Sequence, residues 1–262
     1  MPDNLKTFDR CIAAVLLIVG SAAIFPSGSA AQPPVTGGAA IERRSLDSQC
    51  IETGEHKSMT FFLIDRSQAL SKPDELISKI AEIKGAIRPG ERVVTAIGSD
   101  RSNGIRIVLD LVRPVKTIWE SPKKVQQRQL VYNGCFTALA GLAGSAEEVH
   151  RGAALFDSLN FAAAALNADS SPTKKLVIYA DMIQDTETIS FFLMKKVDPA
   201  AVLAKVQGAN MIPALDGVEV RIGGAGSGVA AEKASSIEAF WRLYFTAAKG
   251  ILKSYGPQLQ LN

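Results

Sequence analysis

The order of apolar and polar positions predicts alternating strands and helices from Ser58 to Tyr255. Short continuous apolar runs are typical of strands that are buried on both faces of a sheet. The predicted strands are Met59–Ile64, Arg92–Gly98, Ile105–Val112, Lys175–Ala180 and Val218–Ile222. Apolar residues three and four positions apart indicate helices. The predicted helices are Ser71–Ile87, Lys123–Ala143, Ala154–Leu166, Pro199–Val206 and a closing aromatic helix from Ile237 to Leu252, whereas Ile189–Met194 fits neither pattern.

These elements predict an α/β fold with a doubly wound, mostly parallel sheet flanked by helices, of Rossmann-like architecture. The turn-forming residues Ser99–Gly104 between the second and third strands predict a hairpin, so one strand should run antiparallel. Ligands of such sheets bind outside the carboxyl ends of the strands. Asp65 follows the first strand and Asp181 follows the fourth. We therefore expect the functional site at that edge of the sheet.

The N-terminal residues have the order of a secretory signal peptide. Lys6 and Arg10 precede a run without charge from Cys11 to Phe25, and small residues follow up to Ala31. The alternative, an uncleaved anchor, usually needs about 20 apolar residues, more than this run provides. The sequence therefore predicts export to the periplasm or the medium. The expected parts are a signal peptide over 1–31, a linker over 32–57 and a folded domain over 58–262.

Removal of that leader leaves two cysteines, Cys50 and Cys135. Exported proteins meet an oxidising compartment, where an even pair of cysteines favours a disulfide. Two buried free thiols are the alternative, because cysteine also packs as a small apolar residue. We predict the disulfide.

The composition sets the number of domains and the class of partner. A chain of 262 residues that is 47% hydrophobic is long enough for one well-packed domain. The net charge is only +3. Basic residues come in short pairs such as Lys123-Lys124, whereas a nucleic-acid surface would gather them in one stripe. We therefore expect no nucleic-acid partner, and membrane contact only through the export signal.

Asp65-Arg66-Ser67 after the first strand and Asp181 after the fourth resemble the von Willebrand factor A (vWA) family. Its metal-ion-dependent adhesion site combines D-x-S-x-S, a threonine from a later loop and an aspartate after the fourth strand. The hairpin and the closing aromatic helix also resemble that family. The resemblance implies a bacterial exported domain that binds a protein partner without catalysis, through Mg²⁺ held by oxygen ligands.

Two positions depart from the family pattern. Ala69 replaces the second serine, and Ala153 occupies the place of the threonine. The remaining metal ligands are Asp65, Ser67 and Asp181. Their expected neighbours are Asp185, Gln184 and Asp100. We expect either a weak Mg²⁺ site or a degenerate one whose polar residues only hold loops by hydrogen bonds.

Two other functions are alternatives to a binding domain. A metal-dependent phosphatase of the haloacid-dehalogenase-like type also has an aspartate after its first strand. Such enzymes use D-x-D, and Ser67 stands where the acid/base carboxylate is needed. A small-ligand carrier would use the glycine-rich segment Gly223–Gly228, which lacks the lysine of a phosphate-binding loop. We therefore predict a protein that is not an enzyme.

Overall fold

The buried apolar runs form one seven-stranded sheet in a computed structural model that describes residues 50–52, 54–65, 73–98, 105–144 and 153–261. The strands are β1 (Ile51–Glu52), β2 (Ser58–Asp65), β3 (Arg92–Gly98), β4 (Arg106–Val112), β5 (Thr173–Tyr179), β6 (Glu219–Gly223) and β7 (Ile251–Tyr255). Their order is β1-β4-β3-β2-β5-β6-β7. Only β1 and β4 run against the other five. The predicted α/β fold and the antiparallel pairing of β3 with β4 are therefore confirmed, whereas the predicted turn Ser99–Gly104 lies outside the described residues.

Helices cover both faces of this sheet, as the doubly wound prediction requires. They are α1 (Pro73–Ala86), α2 (Pro122–Gly144), α3 (Leu155–Ala168), α4 (Pro199–Gly208) and α5 (Ala231–Ala247). Side chains alternate along β2, so Phe61 packs in a core with α3 and α5, and Phe62 packs in a second core with α1 and α2. Among the described residues, no helix is long and apolar enough to span a membrane.

The closing helix begins and ends earlier than predicted, and a strand follows it. Helix α5 ends at Ala247, and Lys249 adopts the left-handed conformation with φ 59°. The chain then turns, and the Ile251 N–H donates to the Val218 carbonyl at 2.8 Å as β7 begins. Ile251 and Leu252 continue the helical spacing by coincidence, so the prediction that they belong to the helix is wrong.

Cys50 and Cys135 form a disulfide with a Cα–Cα distance of 5.6 Å, which confirms the predicted pairing. The bond ties the segment that enters the sheet at β1 to α2. Next to it, the Asp110 N–H donates to the Cys50 carbonyl at 2.8 Å. Strand β1 lies inside the segment that the sequence pattern assigns to the linker.

A buried ion-pair network joins strands at the amino edge of the sheet, opposite the expected site. The Arg92 guanidinium donates two bonds to Asp110, at 2.8 and 2.7 Å, and one to Asp169 at 2.8 Å. His56 Nε2 contacts the same Asp169 oxygen at 2.7 Å, and its Nδ1 lies 2.7 Å from the Gly54 carbonyl. Both partners of the His56 ring only accept hydrogen bonds, so the doubly protonated ring satisfies them best.

The network makes the free energy of unfolding depend on pH in two ways: one contribution is lost as pH rises and the other as pH falls. Burial lowers the pKa of His56, but the Gly54 carbonyl and Asp169 outweigh it and raise that pKa overall. Burial raises the pKa of Asp169, but hydrogen bonds from Ser171, His56 and Arg92 outweigh it and hold that pKa well below its usual range. The His56 contribution should be complete below about pH 6.5 and lost as pH rises through the raised pKa. The Asp169 contribution should be complete above about pH 4 and lost as pH falls.

We therefore expect His56→Gln to lower the free energy of unfolding more at about pH 5.5 than at about pH 8.5. Urea denaturation of both proteins at the two pH values measures the difference. An equal loss at both values would show that His56 does not gain a proton from its folded surroundings.

Candidate functional site

Asp65 and Asp181 meet at the carboxyl edge of the sheet, where the sequence places the site. Strands β2 and β5 are parallel neighbours with Ile64 opposite Tyr179, so the residues that follow lie side by side. Asp65 is buried, with 5% of its surface exposed. Burial, and after it the negative charge of Asp65, raises the pKa of Asp181 to about 7. Two carboxyl groups therefore share a site in which their simultaneous ionisation is unfavourable.

Several hydrogen bonds hold the backbone around Asp181. The Asp181 Oδ1 accepts the Ile183 N–H at 2.8 Å, and the Asp181 carbonyl accepts the Gly226 N–H at 3.1 Å. Met182 has φ 64° and is fully buried, and its carbonyl accepts the Trp241 indole N–H at 2.8 Å. The glycine-rich segment thus borders the site, and Gly226, at φ 79°, has the conformation that this contact needs.

Gln184 and Asp185, predicted as neighbours of the site, secure the start of α3. Gln184 is buried, and its Oε1 accepts the Phe156 N–H at 3.2 Å. No side chain caps the helix at Ala154, so this contact satisfies a backbone donor that would otherwise lack a partner. The Asp185 N–H donates to the Ala153 carbonyl at 3.1 Å. Both residues therefore position the loop after β5.

Ser158 is a candidate site residue that the sequence analysis missed. A small cavity lies between the ends of β2 and β3 and the start of α3, and Asp65, Ala153 and Ser158 line it. Gly98 lines it too, and a side chain there would place its Cβ 3.0 Å from the Ser158 hydroxyl. The signal in the sequence is weak, because Ser158 is marked only by its position one helical turn beyond Ala154.

The described residues supply few of the ligands that Mg²⁺ requires. Within them, no group of three or more histidine, cysteine or acidic side chains could hold a metal ion. The donors near Asp65 are the Asp181 carboxylate and the Ser158 hydroxyl, while Ala153 presents a buried methyl group. Ser67, Ala69 and Asp100 lie outside the described residues. Mg²⁺ demands near-ideal octahedral oxygen coordination, so these donors do not complete a magnesium site without several waters.

An exposed apolar pair lies on the same edge as the two acids. Phe192 is 66% exposed and Leu193 is 81% exposed, on the loop that leaves the carboxyl end of β5. Lys233 holds this loop, because its Nζ donates to the Phe192 carbonyl at 2.9 Å and lies 5.8 Å from the centre of the Phe192 ring. Large apolar side chains on a fixed loop are typical anchors of a protein interface.

No protein-family model matches the sequence, and no curated protein matches it. Several solved structures resemble the chain weakly. The pilus adhesin SpaC from Lactobacillus rhamnosus GG, in its open conformation, has 12% identity and a TM-score of 0.42, over 74% of this chain and 27% of the adhesin. Human COPII-coat protein Sec24c has 10% identity and a TM-score of 0.44, over 78% and 30% of the two chains. The N-terminal domain of TFIIH p34 has 13% identity and a TM-score of 0.37, over 79% and 95%.

The chain thus spans less than a third of the adhesin and of Sec24c. Similarity at this level says nothing about what this chain binds.

Proposed function

We propose that this chain is an exported, non-catalytic interaction domain of vWA type that binds a protein partner at the carboxyl edge of its sheet. The observation that carries the proposal is the acid pair Asp65 and Asp181, which lies at the edge where ligands of doubly wound sheets bind. Two adjacent carboxyl groups in a buried position weaken the fold, and such arrangements cluster at functional sites. A cationic group brought by a ligand would relieve their repulsion.

The surroundings of the pair favour a macromolecular ligand over a small one. Phe192 and Leu193 offer apolar anchors on the same edge, whereas the cavity beside Asp65 is small and mostly walled by backbone and aliphatic groups. A partner would therefore cover the exposed anchors and direct a lysine, an arginine or a bound cation at the acids.

The proposal is tested by capture of partners from the native cell envelope. We expect a Phe192→Ser, Leu193→Ser double variant to lose the captured protein, and Asp65→Ala to weaken its capture strongly. The matched control is Leu130→Ser with Val131→Ser, which changes an equally apolar exposed pair on α2. Equal loss in the control, or full capture by both site variants, would contradict an interface at the carboxyl edge.

We propose further that a divalent cation binds the acid pair weakly. A site with millimolar affinity adds only about 1.4 kcal/mol of stability at a cation concentration ten times Kd. In calorimetry with Mg²⁺ and Mn²⁺, Asp65→Ala should abolish the binding heat, whereas Ala69→Ser combined with Ala153→Thr should increase the affinity. Asp216→Ala is the control, since Asp216 pairs with Lys249 in the loop before β7.

Tight Mg²⁺ binding by the unmodified protein would contradict this view of the site. Ser158→Ala extends the test, because a loss of affinity would assign its hydroxyl as a ligand in place of the missing threonine. The phosphatase alternative predicts turnover of a generic phosphomonoester that depends on Asp65, and our proposal predicts none.

A further inference from the structure

Among the described residues, the two most exposed large apolar side chains lie on the loop of residues 113–121, between β4 and α2. Ile118 is 88% exposed and Trp119 is 90% exposed. Strand β4 ends beside the start of β3, with Val112 opposite Arg92, so the loop lies at the amino edge of the sheet. This is the edge opposite the acid pair. We call Ile118 and Trp119 the apolar tip.

Contacts at both ends hold the loop that carries the apolar tip. Its first residue, Arg113, exchanges backbone hydrogen bonds with the loop before β3, from its N–H to the Glu91 carbonyl and from the Gly90 N–H to its carbonyl, both at 2.9 Å. At the other end, Arg128 donates to the Val115 carbonyl at 3.0 Å and forms an ion pair with Glu120. The fold therefore holds both flanks of two large apolar residues that point into water.

Positive charge surrounds the apolar tip. Lys116 on the loop and Lys123 and Lys124 in the first turn of α2 are all exposed. Arg128 pairs with Glu120, so that acid does not offset them. Within the part of the chain that the structure describes, these three lysines form no ion pair. The exposed Arg88 on the neighbouring loop before β3 adds to them, whereas Lys57 and Glu55, both exposed on the loop before β2, offset each other.

The two lysines of α2 also stand where the helix itself disfavours them. The N-terminal turn of a helix carries partial positive charge, which stabilises acids and destabilises bases. Helix α2 has no acidic residue in its first turn but begins Pro122-Lys123-Lys124. A negatively charged surface outside the molecule would compensate this arrangement.

We propose that the apolar tip inserts into the interfacial region of an anionic lipid bilayer, with Lys116, Lys123 and Lys124 against the lipid headgroups. Tryptophan favours the membrane interface, and each basic residue near an anionic surface strengthens binding. The apolar tip differs from Phe192 and Leu193 because it carries a tryptophan and lies on the edge opposite the acid pair. The contact goes beyond the proposed function and adds to the membrane contact expected from the export signal. Because the apolar tip and the acid pair lie on opposite edges of the sheet, this contact would leave the acid pair facing away from the bilayer.

The test uses the exported protein with vesicles of phosphatidylcholine alone or mixed with phosphatidylglycerol. The chain has two tryptophans, Trp119 and the fully buried Trp241, so a change in fluorescence on lipid binding reports Trp119. We expect its emission to shift to the blue, and its quenching by acrylamide to fall, only with the anionic vesicles. Lys123→Glu with Lys124→Glu should lower the vesicle partition coefficient by roughly tenfold or more. Ile118→Asp should lower it similarly.

Failure of the unmodified exported protein to bind the anionic vesicles would overturn the proposal. Leu243→Ala is the control that removes an exposed apolar side chain from α5, and it should bind vesicles like the unmodified protein. Full accessibility of Trp119 to acrylamide in vesicle-bound protein would overturn the proposal. So would protection of Trp119 in native envelopes but not by lipid vesicles, which would assign the apolar tip to a protein partner. Neither result depends on the function proposed for the carboxyl edge.

Discussion

Loss of the Cys50–Cys135 bond should lower the free energy of unfolding by roughly 4 to 5 kcal/mol, because the bond closes a loop of 85 residues in the unfolded chain. The same bond fastens β1, which has only two residues and pairs with β4 alone. Cys50→Ala with Cys135→Ala is the variant to compare, since both side chains are buried and alanine leaves no unpaired thiol.

Urea denaturation of the exported protein, in the absence of reductant, measures this loss. Equal stability of the double variant and the parent would show that the exported protein folds without the crosslink. Peptide mapping of the parent should then find two free thiols.

Arg92→Met should destabilise the fold by about 3–5 kcal/mol, the range for breaking a buried ion pair. The substitution keeps most of the side-chain volume but leaves two acids without their guanidinium. Asp169 has a side chain that is 1% exposed, and Asp110 one that is 9% exposed. Asp169 keeps His56, but the buried charge that Asp110 and Asp169 share then lacks its guanidinium, and this accounts for the size of the effect more than the lost attraction does.

Arg242→Met is the matched control. Arg242 pairs with Glu238 one helical turn away on the exposed face of α5, with side chains 55% and 37% exposed. Exposed pairs of this kind contribute only about 0.3–0.5 kcal/mol. Losses of equal size in the two variants, measured by chemical denaturation, would contradict a special role for the buried network.

The parts of the fold that the sequence predicts are those that periodicity encodes. Alternation along β2 sends Phe61 and Phe62 to opposite cores, and spacing of three and four marks the helices. The segment 189–194 shows no period because only some of its residues are anchored. Phe191 is fully buried against Phe240 and Trp241, whereas Phe192 beside it faces solvent. Contacts between distant segments, and not a local pattern, fix that loop.

The candidate site, like the fold, is predictable from the sequence only in part. Asp65 and Asp181 could be placed together because parallel strands bring their carboxyl ends to one edge. Ser158 could not, since the rotation of α3 against the sheet decides which of its residues line the cavity. The buried network was also hidden, because Arg92 and Asp169 are 77 positions apart in the chain.

The carboxyl edge as the interaction surface is tested most directly by photocrosslinking in the native envelope. A benzoylphenylalanine at Phe192 should form an adduct with a discrete partner, and the same group at Leu130, also a largely exposed apolar position, should not. Adding Asp65→Ala to the chain that carries the probe at Phe192 should remove most of that adduct. Our account predicts this pattern. An adduct at Leu130 that forms equally well, or an adduct at Phe192 that Asp65→Ala leaves unchanged, would contradict it.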